Sequence, residues 1–224
     1  MTTLTIPEPR IALIHALALS VEPINDAFKR DWPEARRMNL LDDSLSADLA
    51  DADGELQPAI FDRFNLLADY AAGTGADAIL FTCSAFGACI DQVARRHATI
   101  PVLKPNEAMV TQAAAFSRRV GLVATFAPTL QQMPPEFPNG VALDTELAAG
   151  ALAALQIGDV GGHTAAIVAA AQRLVARGAE VIALAQFSMA SAAPAVRAAL
   201  AIPVLTTPDS ALIELRRRLT TSRA

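Results

Sequence analysis

The chain has 224 residues, 53% of them hydrophobic and 18% charged, which is apolar enough to bury a large core and excludes both intrinsic disorder and a disulfide-stapled miniature. A formal charge of −5 at pH 7, with basic residues scattered along the chain, sets the overall field against a nucleic-acid groove. Apolar runs stay short of the about 18 residues a membrane span needs, and Met1 to Arg10 lacks a signal peptide's charged start and apolar block, so the expected address is the cytoplasm, without membrane or nucleic-acid partners.

Strand-length apolar runs alternate with longer segments of helical period, the sequence form of an α/β chain with parallel, largely buried sheets. In chain order the clearest strands are Ile11 to Ala16, Ala78 to Thr82, Val102 to Leu103, Val120 to Thr125, Val181 to Ala185 and Val204 to Leu205. Between them, Ile60 to Ala72, Phe86 to His97, Ala165 to Arg177 and Ala192 to Leu200 repeat apolar residues at helical spacing and read as crossover helices. A last helix is expected around Ala211 to Leu219. Gly73, Gly75 and Gly178 each follow a helix and precede a strand, where a left-handed residue ends a helix. A phosphate-cradling glycine run would instead follow a strand.

The chain repeats itself weakly. Gly75-Ala76-Asp77-Ala78-Ile79-Leu80-Phe81-Thr82-Cys83 matches Gly178-Ala179-Glu180-Val181-Ile182-Ala183-Leu184-Ala185-Gln186, and Ile100-Pro101-Val102-Leu103 recurs as Ile202-Pro203-Val204-Leu205. Arg10-Ile11-Ala12-Leu13-Ile14 resembles Arg119-Val120-Gly121-Leu122-Val123 in the same way. Three paired strands in one order predict duplicated lobes rather than a solenoid of short repeats. The expected first lobe is 1–106 with 206–224, and the second is 107–205. Ligands of open parallel sheets bind beyond the carboxyl ends of the strands, so equivalent strand ends of the two lobes are expected around one cleft that closes on its ligand.

Those strand ends nominate His15, Asn39 to Ser44, Cys83 to Ala85, Lys104, Thr125 and Gln186 to Ser188. Cys83 follows a buried strand and precedes a helix expected to begin near Ser84 or Ala85, where N–H groups and the helix dipole would lower a thiol's pKa. A small buried core cysteine is the alternative. Cys89 reads as packing, and Cys83, Cys89 and His97 do not make a zinc set. His97 reads as structural at a helix end. His15 is placed to donate to a bound carboxylate or to tune a thiol, His163 to cap a helix, and Asp42-Asp43-Ser44 also to cap.

Phe81-Thr82-Cys83-Ser84-Ala85 and its counterpart Leu184-Ala185-Gln186-Phe187-Ser188-Met189-Ala190 resemble the aspartate/glutamate/hydantoin racemase superfamily. Ala124-Thr125 and Pro101-Val102-Leu103 with Asn106-Glu107 extend the resemblance over nearly the whole chain. It implies two pseudo-symmetric flavodoxin-like lobes, a homodimer, no cofactor or metal, and a small carboxylate substrate. Members commonly carry two cysteines, one removing a proton from the α-carbon and the other returning one. Here the first falls on Cys83 and the second on Gln186, which has no usable proton at neutral pH. By the same resemblance, Ser84, Ala85, Thr125, Phe187 and Ser188 are expected to bind substrate, and His15, Asn39 and Gln186 are expected to join them from their places at strand ends. The superfamily also contains arylmalonate decarboxylase and maleate isomerase. The implied function is therefore a cofactor-independent isomerase or racemase using one thiol, with a decarboxylase or other lyase, or a catalytically silent carboxylate-binding protein, as alternatives.

Overall fold

The computed structural model describes residues 8–116 and 119–221. The chain divides into two units, Met1–Pro105 with Ala211–Ala224 and Asn106–Ser210. The second crossing between units falls inside the C-terminal helix, where the sequence reading set it ahead of that helix.

The first unit runs β1 (Arg10–His15), α1 (Val21–Asp31), β2 (Arg36–Leu41), α2 (Ser44–Asp51), α3 (Pro58–Gly73), β3 (Ala78–Phe81), α4 (Gly87–Arg96) and β4 (Val102–Leu103). The second runs α5 (Glu107–Phe116), β5 (Arg119–Ala124), α6 (Thr129–Gln132), β6 (Ala142–Leu147), α7 (Ala151–Gln156), α8 (Val160–Ala176), β7 (Val181–Leu184), α9 (Ala193–Ala199) and β8 (Val204–Thr206). The helix α10 (Thr207–Thr221) starts in the second unit and ends in the first. Strand order is β2-β1-β3-β4 in one sheet and β6-β5-β7-β8 in the other, with all pairings parallel. The sequence repeat is therefore a repeat of topology: Ile11 pairs with Ala78 in one sheet as Val120 pairs with Val181 in the other.

A parallel sheet must be covered on both faces, so its central strands are apolar throughout. Ala12, Ile14, Ile79 and Phe81 pack on Ile60, Phe64 and Ala68 of α3 and on Ile90 and Val93 of α4. In the second unit Val123, Ile182 and Leu184 meet Ile167, Ala170 and Leu174 of α8. Leu122, Ala124, Val181 and Ala183 point to the opposite face, onto Met109, Val110 and Ala113 of α5. Alternation along each strand divides its residues between these layers.

Six strands lie where the apolar runs put them, and the edge strands β2 and β6 complete the sheets. Both edges are half-exposed and carry polar side chains, so no apolar run announces them. On β6, Asp144 pairs with Arg177 just past α8 and Glu146 with Arg173 of α8, at 2.5 and 2.7 Å.

Gly75 and Gly178 end their helices in the left-handed region, at φ 80° and 98°. Gly73 does not: it is the last residue of α3 and its φ is not positive. Ahead of α4 and α9 the chain first makes 3-10 turns, Ser84–Phe86 and Phe187–Ala192.

Gly121 on β5 is closely packed. A Cβ there would stand 2.9 Å from Ile182 Cδ1, 3.0 Å from Ala179 Cβ and 3.1 Å from Leu174 Cβ, whereas the register-equivalent Ala12 carries its methyl in the first unit. Gly121→Ala is expected to cost about 1–3 kcal/mol by overpacking, read as a lowered urea midpoint at unchanged m-value, while Ala12→Gly should cost about 1 kcal/mol or less through strand propensity and a small lost contact.

Candidate active site

The carboxyl end of β3 is held by three aromatic rings. Phe81 on the strand and Phe86 in the following turn both pack on Phe64 of α3, with centroids 5.2 and 5.0 Å away. The loop between these anchors carries Thr82, Cys83, Ser84 and Ala85. Cys83 caps the turn with extended backbone, φ −123° and ψ 123°. Its sulfur accepts from the Ala85 N–H, and the residue keeps partial exposure while Cys89 is fully buried.

The expected lowering of the Cys83 pKa is corrected. Burial pushes this thiol up, and the Ala85 N–H offsets only part of that. The turn spans three residues rather than a run of aligned helical peptides, so its dipole is small. Cys89, in the helix-packed core, is pushed up to about 11 by burial, as its packing role implies.

His15, at the end of β1, is 0% exposed. Its Nδ1 lies 2.9 Å from Thr82 Oγ1 and its Nε2 3.0 Å from Asn39 Oδ1. Of the two roles expected for His15, binding a carboxylate or tuning a thiol, neither is tested by these contacts, which engage both ring nitrogens within the first unit. Burial lowers its pKa, with the Asn39 hydrogen bond opposing. Asn39 is exposed on edge strand β2 and also accepts from Asn25 of α1 at 2.9 Å, a partner that no sequence signal marks.

Asp42-Asp43-Ser44 caps through Asp42, whose carboxylate accepts from the Ser44 N–H at the first residue of α2. Asp43 at the N-cap of α2 makes no side-chain bond, while Ser44 Oγ donates to Asp42 at 2.7 Å and Arg63 of α3 pairs with Asp42 and Asp48. Burial alone would raise the Asp42 carboxyl, but the hydrogen bonds from Ser44 and Arg63 outweigh it and hold it below the ordinary value. Lys104 is paired with Asp91 at 2.7 Å, and His97 sits at the end of α4 with Nε2 2.9 Å from Asp69.

In the second unit, Gln186 follows β7 as Cys83 follows β3. Its Oε1 accepts from the Thr125 N–H at 2.6 Å and the Thr125 hydroxyl at 2.9 Å. Two donors at one atom fix that atom as oxygen, and hence fix where the NH₂ points. That nitrogen makes no hydrogen bond to a described residue. Phe187 is buried and Ser188 partly exposed, so only the backbone of Phe187 is left to meet a ligand. His163 is not a cap. Asp159 takes that role for α8, accepting from Gly162 N at 2.8 Å, while His163 lies buried with Nδ1 2.9 Å from the Ala151 carbonyl.

The duplicated parallel α/β class expected from the repeat is thus present, with a thiol ending one central strand and a carboxamide ending its counterpart. The chain belongs to the Asp/Glu/Hydantoin racemase family, whose model matches residues 21–215. No curated protein matches it in sequence. Among solved structures, allantoin racemase from Klebsiella pneumoniae is similar over 94% of this chain and 87% of its own, with TM-score 0.71 at 16% identity. Glutamate racemase from Thermus thermophilus covers 98% and 83%, with TM-score 0.69 at 20% identity. Unliganded arylmalonate decarboxylase covers 94% and 93%, with TM-score 0.66 at 15% identity. These likenesses carry the fold. Among the described residues no helix is long and apolar enough to cross a membrane.

Because the His15 pKa is lowered from 6.5 in the folded chain, the unfolded chain takes up that proton first as the pH falls. The folded state then loses stability as pH drops below about 6.5, until folded His15 itself protonates. Urea midpoints should fall across that window in the wild type, and His15→Gln should flatten this part of the slope. An identical slope in the variant would assign the effect elsewhere.

Proposed function

We propose that the protein is a cofactor-independent, isomerase-type enzyme acting on a small carboxylate, with Cys83 as its single proton-transferring or nucleophilic thiol. The observation that carries this reading is Cys83 itself: of the two cysteines it alone keeps access to solvent, on a loop anchored by packed aromatic rings. The Ser84 N–H, the carboxamide nitrogen of Gln186, the Ser188 hydroxyl and the backbone of Phe187 serve as neutral donors to substrate oxygens, while the Ala85 N–H holds the Cys83 sulfur and Thr125 holds Gln186. Donors of this kind stabilise an enediolate as charge develops. Asn39 and His15 act behind Cys83.

A second reading, decarboxylation, draws support from the thiol's raised pKa. A resting thiol is a proton donor and a poor base. In that chemistry the C–C bond to the leaving carboxylate breaks, its electron pair stays on carbon, and Cys83 protonates that carbon on one face. The histidines do not supply a second acid in either reading. His15 has both nitrogens bonded, and the Nδ1 of His163 is committed to a backbone carbonyl, both rings being fully buried.

Turnover of dicarboxylates, amino acids, hydantoins and arylmalonates in D₂O, followed by NMR, tests the reading. Deuterium should enter with one handedness, and Cys83→Ser should lower kcat by on the order of a thousandfold or more without unfolding the chain. Rapid deuterium entry on both faces would overturn the one-thiol mechanism. A homodimer, checked by light scattering, belongs to the same proposal.

Gln186→Cys should raise racemisation of any substrate accepted, by a factor limited by thiol placement, since about 1 Å of error costs about a hundredfold. With iodoacetamide, Cys83 should react faster than Cys89, its rate still climbing above the ordinary thiol range of about 8.5. Equal rates for the two thiols would remove Cys83 as the site.

A further inference from the structure

The orientation of His15 can be deduced from a backbone carbonyl outward. The Val21 carbonyl only accepts, so the Asn25 atom 2.7 Å from it is Nδ2. The same nitrogen lies 2.9 Å from Asn39, whose facing atom is therefore Oδ1, and the other arms of the two amides meet at 3.3 Å in the matching sense. Since Asn39 Oδ1 also faces His15 Nε2 at 3.0 Å, that ring nitrogen carries the hydrogen. Neutral imidazole then has a bare Nδ1, which the Thr82 hydroxyl meets as donor at 2.9 Å. Every polar atom in this chain of contacts is used in one sense only.

The far end of that chain is the residue next to Cys83. Thr82 is 5% exposed, and its N–H donates to the Ile14 carbonyl at 3.0 Å. The last ladder bond of β3 and the hydroxyl bond to His15 thus fix Thr82 at both backbone and side chain. The second unit solves the same problem by a shorter route, with Thr125 at the end of β5 gripping Gln186 directly. The position of Thr82 falls on Ala185 in the second unit, so there it is Gln186, the counterpart of Cys83, that is held from the neighbouring central strand.

We propose that His15 is a positioning residue for Cys83: locked as the neutral Nε2–H tautomer through Asn39, Asn25 and the Val21 carbonyl, it accepts the Thr82 hydroxyl and so fixes the corner that presents the thiol. This rests on the reading of Cys83 as the reactive thiol. His15 itself neither touches substrate nor carries a proton to it.

Nitrogen-15 NMR of histidine-labelled protein near neutral pH tests the first half, and His15 is expected as the Nε2–H tautomer. A Nδ1–H tautomer or an imidazolium would overturn the proposal. The second half is read from the iodoacetamide rate of Cys83, with Cys89 as internal control. Thr82→Val should speed Cys83 alkylation on the order of tenfold as the released corner admits water to the sulfur, a displacement well under the about 1 Å that costs a hundredfold in catalysis. Thr82→Ser, which keeps the hydroxyl, should restore the wild-type rate. Should Thr82→Val not fold, Asn39→Ala, altered at an exposed position, should release the tautomer and speed alkylation likewise. Folded variants with wild-type Cys83 rates would overturn the positioning role. Undiminished turnover by Cys83→Ser would instead remove the catalytic reading alone, leaving the tautomer and alkylation results to stand for His15.

Discussion

Parallel pairing of β1 with β3, and of β5 with β7, is the constraint from which the remaining features follow. Parallel neighbours cannot be joined by a hairpin, so each pair needs a crossover that passes over a sheet face, and the helices α3 and α8 cover those faces. Because the strands run in one direction, their carboxyl ends gather on one edge of each sheet. There the ladder stops and the chain turns out of the buried layer, so polar side chains meet core residues within one or two positions. His15, Thr82 and Cys83 in one unit, and Thr125 and Gln186 in the other, occupy such places.

At those ends buried polar atoms must be paired, since an unpaired donor or acceptor costs about 1–3 kcal/mol. The protein meets that requirement with neutral groups: imidazole, hydroxyl, carboxamide and backbone carbonyl. Nearby ions are committed elsewhere, Asp42 to Arg63 and Lys104 to Asp91. Neutral pairs can be sealed at less desolvation cost than ions. They also leave the state of the Cys83 thiol to burial and one N–H rather than to a neighbouring charge.

What the sequence could reveal followed from how locally each feature is encoded. The four inner strands and the buried edge strands β4 and β8 were legible because burial writes an unbroken apolar run, and the repeat was legible because both units need the same run. Edge strands β2 and β6 were not, since Arg36–Leu41 and Ala142–Leu147 face solvent on one side and are specified by backbone pairing. Cys83 and Gln186 could be placed at strand ends by position alone. Their electrostatics could not, because a three-residue turn and a long helix look alike in sequence. The partnership of His15 with Thr82, Asn39 and Asn25 joins three strands and a helix, and nothing in the spacing of those residues announces it. His163 misled for a related reason: the cap of α8 was the aspartate four residues earlier, and the histidine reached back to α7 instead.

The two strand ends differ in what they can do to a substrate, and that difference bears on reaction class. A thiol can hold or release a proton, whereas a carboxamide can only donate hydrogen bonds through its nitrogen and accept through its oxygen. With the Gln186 oxygen already engaged by Thr125, only the donor half remains for a ligand, which suits an oxygen that gains negative charge. In the proposed reading the titrating group belongs to the first unit, and the equivalent strand of the second unit ends in an oriented dipole. On that reading a single thiol favours chemistry in which a proton arrives at or returns to one face of a planar carbon. The fold is duplicated but the titrating group is not: equivalent strand ends carry a thiol in one unit and a carboxamide in the other.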